Sequence, residues 1–537
     1  MTTEIKQELD LQINIDTKME RFKFLIEHAK FDSKQHQYDG VEWCLRNEIC
    51  PNPLHNVRGG IIADEMGLGK TIMMIGIMFV NYLEHTLIIV PPILVNQWES
   101  EIYRASGHRA LVYHGSKKNS ITQEEFNKRP IIITTYNTLN KPNSFINTLS
   151  WNRIIFDESH HLRNNKTSKY KKCSNIKARA RWFVTGTPIQ NRARDLYNLL
   201  DMLGVPSENY MKDEMPTILE TFMLRRTKKE VGIILPAVNK HQISTLWKSE
   251  DEKCLAEEIH SFIPNQTRVS SNKCREFAKL YNNTHSIVAF QKARQICVLP
   301  RMIKSDKRAK QLFDQGFYSN VDTYDSKIET LIKLIEIRKD NGRGKIIFCQ
   351  FREEIDTIVS RLQQIGLKKV VKYDGRNSGG DNLKNIGDQA DALVIQIQSG
   401  NEGLNLQKHF SEVYFVSPHW NPSFEDQAIA RCHRIGQKNE VDVFKLEMKE
   451  FQEAEKEEEK EITIDIYVRQ TQNRKREIAN KILGSKMKAE EENINIVNSN
   501  ELPNKKEEIE FEVELTNEDK ECILMEKEDI NSTFTKG

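Results

Sequence analysis

No stretch of this 537-residue sequence offers the roughly 18 uninterrupted apolar residues that a membrane-spanning helix needs. Hydrophobic residues make up 38% and mean hydropathy is −0.60, which reads as a water-soluble chain. Met1 to Asp10 is polar and charged, so no apolar signal-peptide core is expected there. The nine cysteines are odd in number, scattered, and include no CxxC pair. That argues against a disulfide scaffold and against a zinc ribbon or RING, and for a reducing compartment, cytosol or nucleus. No internal repeat of 20–50 residues is visible. Nor is there a strong net charge: 79 Lys and Arg face 77 Asp and Glu, leaving +2.

What is there begins with how that charge is distributed. Lys486 to Gly537 holds seven lysines, no arginine and fifteen acids, or −8. The rest of the chain carries 72 basic against 62 acidic residues, or +10. A moderately basic body is compatible with nucleic acid, although charge alone decides nothing. The acidic segment is poor in aromatics and is expected to be disordered.

At roughly 100–200 residues per domain, the length leaves room for two to four domains. Short apolar runs alternate with helical patterns, as in stacked βαβ units with parallel sheets. One series of buried strands is expected at Gly60–Ala63, Thr86–Val90, Ala110–Tyr113, Ile131–Thr134, Arg153–Phe156 and Trp182–Thr185. A second is expected at Lys345–Cys349, Lys369–Tyr373, Ala392–Gln396, Glu412–Phe415 and Val441–Leu446. Between them Asp195 to Asp325 has few strand signals and several amphipathic stretches. The fold class is therefore α/β: two parallel-sheet lobes with a helical insertion. Expected segments are 1–30, an N-terminal extension; 31–194, the first lobe; 195–325, the insertion and lobe connection; 326–447, the second lobe; 448–485, a charged linker and bracing helix; and 486–537, the acidic tail.

Two motifs carry chemistry. Gly59 to Thr71 reads GGIIADEMGLGKT: a strand, a glycine-containing turn and the start of an apolar helix. In such a loop Gly67 and Gly69 let backbone N–H groups approach phosphate oxygens. Lys70 reaches the β- and γ-phosphates, and Thr71 can ligate Mg²⁺. Asp64 stands where the general phosphate-loop pattern has its first glycine. The second motif, WNRIIFDESHHLRN at Trp151 to Asn164, is an apolar strand ending in two acids. Asp157 lies where α/β sheets place ligands and can hold Mg²⁺ through water, while Glu158 is the natural group to orient an attacking water.

Together DEMGLGKT and DESH resemble the superfamily-two helicase-like ATPases, and specifically the Swi/Snf-type DNA translocases. The chain is similar to that family elsewhere too. His36 to Trp43 (HQYDGVEW) resembles the adenine-reading Q motif, with Gln37 as the base contact, and Ile88 to Pro92 with Asn96-Gln97-Trp98 resembles motif Ia. Thr185 to Asn191 resembles motif III, and Phe222 to Lys228 (FMLRRTK) the lobe-connecting segment. Lys345 to Phe351 resembles motif IV, Gly403 to Leu406 motif V, and Trp420-Asn421-Pro422 with Glu425 to Gln437 motif VI. The resemblance runs from about Phe31 to Leu483 and implies two RecA-like lobes. It implies ATP and Mg²⁺ as cofactors, with Gln37, Asp64, Glu65, Met66, Gly67, Leu68, Gly69, Lys70, Thr71 and Gln427 at the nucleotide. Thr71 and Asp157 would hold the metal. Asp157, Glu158, Ser159 and His160 form the DESH box, and catalysis falls to Glu158, Asp157, Lys70, Arg431 and Arg434. The two arginines are expected on a helix, Ser423 to Cys432, as charges for the transferring phosphoryl group.

The sequence departs from the family in places. Arg376 to Gln389 is short and Gly/Asn-rich where the family has a longer helical stretch, and Asn401 and Glu402 interrupt the paired glycines of motif V. The wording of Trp420 to Gln427 resembles the helicase-like transcription factor branch, whose RING these cysteines cannot build. The resemblance includes no bromodomain or chromodomain, which leaves a nearly bare motor similar to the short global-transactivator proteins of large DNA viruses. The implied activity is ATP-dependent translocation on double-stranded DNA. Nucleosomes or transcription machinery are the implied partners, and the nucleus or a viral replication site the implied location. A strand-separating helicase, and a non-enzymatic DNA-binding transcription regulator, are the rival readings. The regulator would be expected to have lost Lys70, Glu158 or Arg434, and all three are present.

Overall fold

The computed structural model describes residues 3–32, 34–50, 52, 56–140, 145–210, 215–261, 276–281, 286–374, 390–400, 405–451, 461–483 and 494–498. The Gly/Asn-rich stretch 376–389, motif V residues 401–404 and the tail beyond 498 lie outside them. The chain divides into two bodies. One holds Met1–Leu235, Asn421–Ala430 and a segment from Arg474; the other holds Pro236–Trp420, Arg431–Asn473 and a C-terminal strand.

In the first body the apolar runs become β1 (Gly59–Ile62), β2 (Thr86–Val90), β3 (Leu111–Val112), β4 (Ile131–Thr135), β5 (Trp151–Asp157), β6 (Ala178–Val184) and β7 (Met223–Leu224). They form one parallel sheet in the order β3-β4-β2-β5-β6-β1-β7. β1, β2 and β4 are buried at every position, because helices and loops cover both faces of a parallel sheet. The N-terminal extension is part of this body. It forms α1 (Thr3–His28), whose Phe22 and Ile26 are buried with Val41 of α2 (Gln35–Ile49) and Met73 and Ile77 of α3 (Lys70–Val80). Full burial of side chains of this size contributes roughly 1.5–3 kcal/mol each. The order β5-β6-β1 brings three strand ends together: the acids after β5, Thr185–Thr187 after β6, and the loop from β1 into α3.

The second body contains β8 (Val238–Thr245), β9 (Gly344–Cys349), β10 (Val370–Tyr373), β11 (Ala392–Gln396), β12 (Phe410–Phe415), β13 (Val441–Met448) and β14 (Ile494–Asn498). Their order is β10-β11-β9-β12-β13-β8-β14, again all parallel. Helices Glu250–His260, Glu276–Tyr281, Ser286–Val298 and Lys307–Asp314 share a core through Ile259, Phe277, Tyr281, Ile296 and Phe313. The N-terminal half of helix Ile464–Leu483 adds Ile464 and Val468 to it.

Two expectations are refined here. The 195–325 segment, expected to show few strand signals, holds the strands β7 and β8. β8 reads VNKHQIST and buries only alternate residues, so no apolar run announces it; backbone pairing with β13 along its length and with β14 over Lys240–Ser244 makes it a strand. The segment from Lys486 is likewise not featureless, because Ile494–Asn498 pairs with Lys240–Ser244 and buries Val497. Among the described residues no helix is long and apolar enough to cross a membrane.

Candidate functional site

The loop 63–69 leaves the buried strand β1 and feeds α3 through Gly69, whose φ of +82° is a left-handed conformation. A side chain there would be strained, and its Cβ would lie 2.4 Å from Gln37 Nε2. The close approach places the Gln37 amide over the start of α3. Gln37 is buried, and its Oε1 has no hydrogen-bond partner among the described residues. The Lys70 ammonium bonds back to the carbonyls of Asp64 (2.7 Å) and Glu65 (3.3 Å), so the loop curls around it. Burial lowers the Lys70 pKa, and the carboxylates of Glu158, Asp64, Asp157 and Glu65 oppose that shift. Gly186, in the loop after β6, faces Met66 and the Lys70 ammonium.

β5 delivers the acids. Asp157 accepts from Trp98 Nε1 at 2.7 Å and from the Glu158 N–H at 2.9 Å, while its own carbonyl accepts from Tyr136 Oη at 2.7 Å. Burial and then the neighbouring Glu158 charge push its carboxyl up to about 7, against the Trp98 hydrogen bond. Glu158 has φ 48° and ψ 50°, a left-handed conformation that costs a non-glycine residue roughly 1–2 kcal/mol. Such strain persists where surrounding structure imposes it, often at functional sites. Here it turns the chain from β5 into the short turn Ser159–Leu162, with Ser159 and His160 buried and His160 Nδ1 3.2 Å from Glu158 Oε2.

The first two acids of the loop do something else. Asp64, expected at the nucleotide, is fully buried, and its carboxylate is engaged by Arg226, with Nη2 at 2.6 Å. Glu65 accepts from the Lys228 N–H at 2.7 Å and pairs with the Lys228 ammonium. Both side chains therefore hold the connecting segment rather than an open phosphate cradle. Trp98, Arg226 and Lys228 were visible only as members of family motifs; nothing in their spacing announced these partners.

The structure thus brings together Gln37, the loop Asp64–Thr71, Asp157, Glu158, Ser159 and His160. Gln427 lies on helix Pro422–Ile429, buried, with no partner for its Nε2 among the described residues. The expected helix Ser423–Cys432 ends at Ile429, so Arg431 and Arg434 sit on the turn that follows, in the second body. The Arg431 carbonyl accepts the Leu406 N–H at 3.1 Å. Arg434 Nη1 donates to Asn405 Oδ1, and burial draws the Arg434 pKa down.

The donor set fits a nucleoside triphosphate. A glycine-lined helix start, a buried cation and an unsatisfied amide oxygen lie within one loop and its neighbours. No cluster of three or more His, Cys, Asp or Glu able to hold a metal occurs among the described residues. A Mg²⁺ ion fits here only as one shared with phosphates and water.

The SNF2-related domain model matches residues 36–302, and the helicase conserved C-terminal domain model matches 326–436. Together they take in more than two thirds of the chain. The chain belongs to the Swi/Snf-type family of helicase-like ATPases. Among its relatives is chromodomain-helicase-DNA-binding protein 1 of Homo sapiens, 28% identical over 78% of this chain and 26% of that protein. A second is the probable global transactivator of Orgyia pseudotsugata multicapsid polyhedrosis virus, 26% identical over 83% of this chain and 91% of that one. The Swi/Snf-type chain thus spans about a quarter of the chromodomain relative but nearly all of the viral one. A Sulfolobus solfataricus SWI2/SNF2 ATPase core solved in complex with dsDNA matches 78% of this chain and 88% of that one at 25% identity, with a TM-score of 0.36.

Proposed function

We propose that this Swi/Snf-type ATPase is a DNA-dependent motor that translocates on double-stranded DNA and remodels protein–DNA complexes in transcription, chromatin or viral genome expression. The observation that carries the reading is the meeting of Lys70, after β1, with Asp157 and Glu158, at the end of β5 on the far side of β6 in the same sheet, beside a loop shaped for phosphate. Gln37 reads adenine through its buried amide. Backbone N–H groups of Gly67 to Lys70 and the Lys70 ammonium take the phosphates. Thr71 and Asp157 hold Mg²⁺, which when bound neutralises charge on phosphate oxygens. Glu158, pinned by its backbone turn, orients the attacking water, and Arg431 and Arg434 supply positive charge for the transferring group. Phosphate contacts make DNA binding salt-dependent and largely independent of sequence. The relatives' names support chromatin and transcription as the setting, and hence the nucleus or a viral replication site.

Steady-state ATP turnover with and without duplex DNA, at low and moderate salt, tests the reading. Stimulation by duplex is expected, and equal rates would overturn the coupling. Displacement of a triplex strand without unwinding of a forked duplex is expected of a translocase. Fork unwinding would replace that part of the reading with a strand-separating helicase.

A further inference from the structure

Arg226 lies four residues after Phe222 on the connecting segment, yet its bonds all run to the nucleotide site. The Asp64 carboxylate accepts from the Arg226 N–H at 2.9 Å, Nε at 3.2 Å and Nη2 at 2.6 Å. Nη1 donates to the His36 carbonyl at 2.6 Å, and Nη2 lies 3.6 Å from Met73 Sδ on α3. α2 carries Gly40 where the guanidinium passes; a Cβ there would stand 3.0 Å from Nη2. The side chain is 17% exposed, and Asp64 is fully buried. A second bond reinforces the arrangement, since His36 Nε2 is 2.9 Å from the Leu68 carbonyl in the phosphate loop.

The first turn of α2 is therefore tied to the phosphate loop twice through His36, directly at the Leu68 carbonyl and by way of Arg226 and Asp64. The next residue is Gln37, whose amide packs over Gly69 with Oε1 buried and without a partner among the described residues. We infer that Arg226 is a positioning residue for base recognition: by clasping Asp64 and the His36 carbonyl it fixes Gln37 at the distance from the phosphate loop that suits adenine. The inference rests on the proposed adenine-reading role of Gln37. Arginine is needed because its planar fork spans two acceptors at once, whereas a lysine ammonium on a flexible stem engages them less rigidly. Phosphate affinity is served by separate groups, Lys70 and the backbone of the loop. Loosening the clasp should thus weaken adenine recognition and leave phosphate binding in place.

The test is equilibrium binding of ribose-labelled fluorescent ATP and GTP, with Mg²⁺, to the full chain carrying Arg226→Lys, Asp64→Asn or Gln37→Ala. The parent is expected to prefer ATP. Gln37→Ala should lose roughly three- to tenfold for ATP and little for GTP, the scale of one lost hydrogen bond. Arg226→Lys should shift the ATP/GTP ratio in the same direction by a similar factor, as should Asp64→Asn, which keeps the side-chain shape and provides a second variant should the first fold poorly. Equal losses for both nucleotides would assign Arg226 a merely structural role and overturn the inference, as would no change. If Gln37→Ala shifts the ratio and Arg226→Lys does not, only the inference fails. If Gln37→Ala itself leaves the ratio untouched, the adenine assignment fails and the inference with it.

Discussion

Replacing Glu48 by glutamine should destabilise the first body without touching its chemistry. Glu48 pairs with Arg153 through Nε at 2.7 Å and Nη2 at 2.8 Å, and the two side chains are 2% and 0% exposed. Arg153 is also held by the Asn81 carbonyl at 2.7 Å and Thr86 Oγ1 at 3.3 Å, so it cannot swing out to water cheaply. Glu48→Gln leaves a buried guanidinium facing an amide instead of a carboxylate. Removing one partner of such a pair costs about 3–5 kcal/mol. For a domain of 150–250 residues, that corresponds to a fall of roughly 6–20 °C in the unfolding midpoint. Glu48→Met/Arg153→Met should cost far less, because it removes the uncompensated charge along with its partner. Arg153 lies four residues before Asp157 on β5, about 13 Å away along the strand, so nucleotide affinity per folded molecule should not change. Scanning calorimetry of the three proteins, with nucleotide binding well below the midpoint, measures both quantities. A single variant no less stable than the double, or one that loses nucleotide affinity while fully folded, would refute the reasoning.

Lys70→Ala should abolish hydrolysis, whereas Glu158→Gln should still bind ATP but turn it over roughly 10²–10⁴-fold more slowly; parental turnover by Glu158→Gln would remove it from the mechanism. In the second body, burial resists ionisation of Asp442, but the His241 hydrogen bond and the Arg343 guanidinium hold its carboxyl well below the usual range. That stability is present above the ordinary carboxylate pKa of about 3.9 and is lost as pH falls through the lower folded value. Asp442→Asn should therefore cost about 3 kcal/mol in urea denaturation near pH 7, with the difference shrinking toward about pH 2. Truncation after Asn498 removes twelve acids and five lysines, and should tighten DNA binding at low salt while leaving DNA-saturated turnover unchanged. A filter-binding salt series would show this, and unchanged affinity would reduce the segment to a solubility tail.

The strands that place the site were legible because parallel sheets buried on both faces need continuous apolar runs, and LIIV, IIIT and RIIF supply them. The phosphate loop and the acids after β5 were legible because phosphate chemistry restricts both residue type and spacing. β8 was not, since half of it faces outward in polar residues and its strand character comes from neighbours far along the chain. The helix expected to reach Cys432 stops at Ile429, and nothing in the local propensity marks that end. The side-chain partner of Asp64 was not legible for a similar reason: Arg226 lies 162 positions away.

The position of β14 bears on the order of synthesis. β8 is made early, but the partner on its outer flank follows roughly 250 residues later, a delay of about 12–50 s at 5–20 residues per second. Every strand of the first sheet has been translated once residue 224 is reached. Until β13 is made at residues 441–448, β8 has neither partner; from then until β14 its outer N–H and C=O groups stay bare, the kind of edge on which foreign strands can pair. The composition of β8 suits that exposure: Asn239, Lys240, Gln242 and Ser244 make a poor template for aggregation, and Lys240 adds the charge that keeps nascent chains apart.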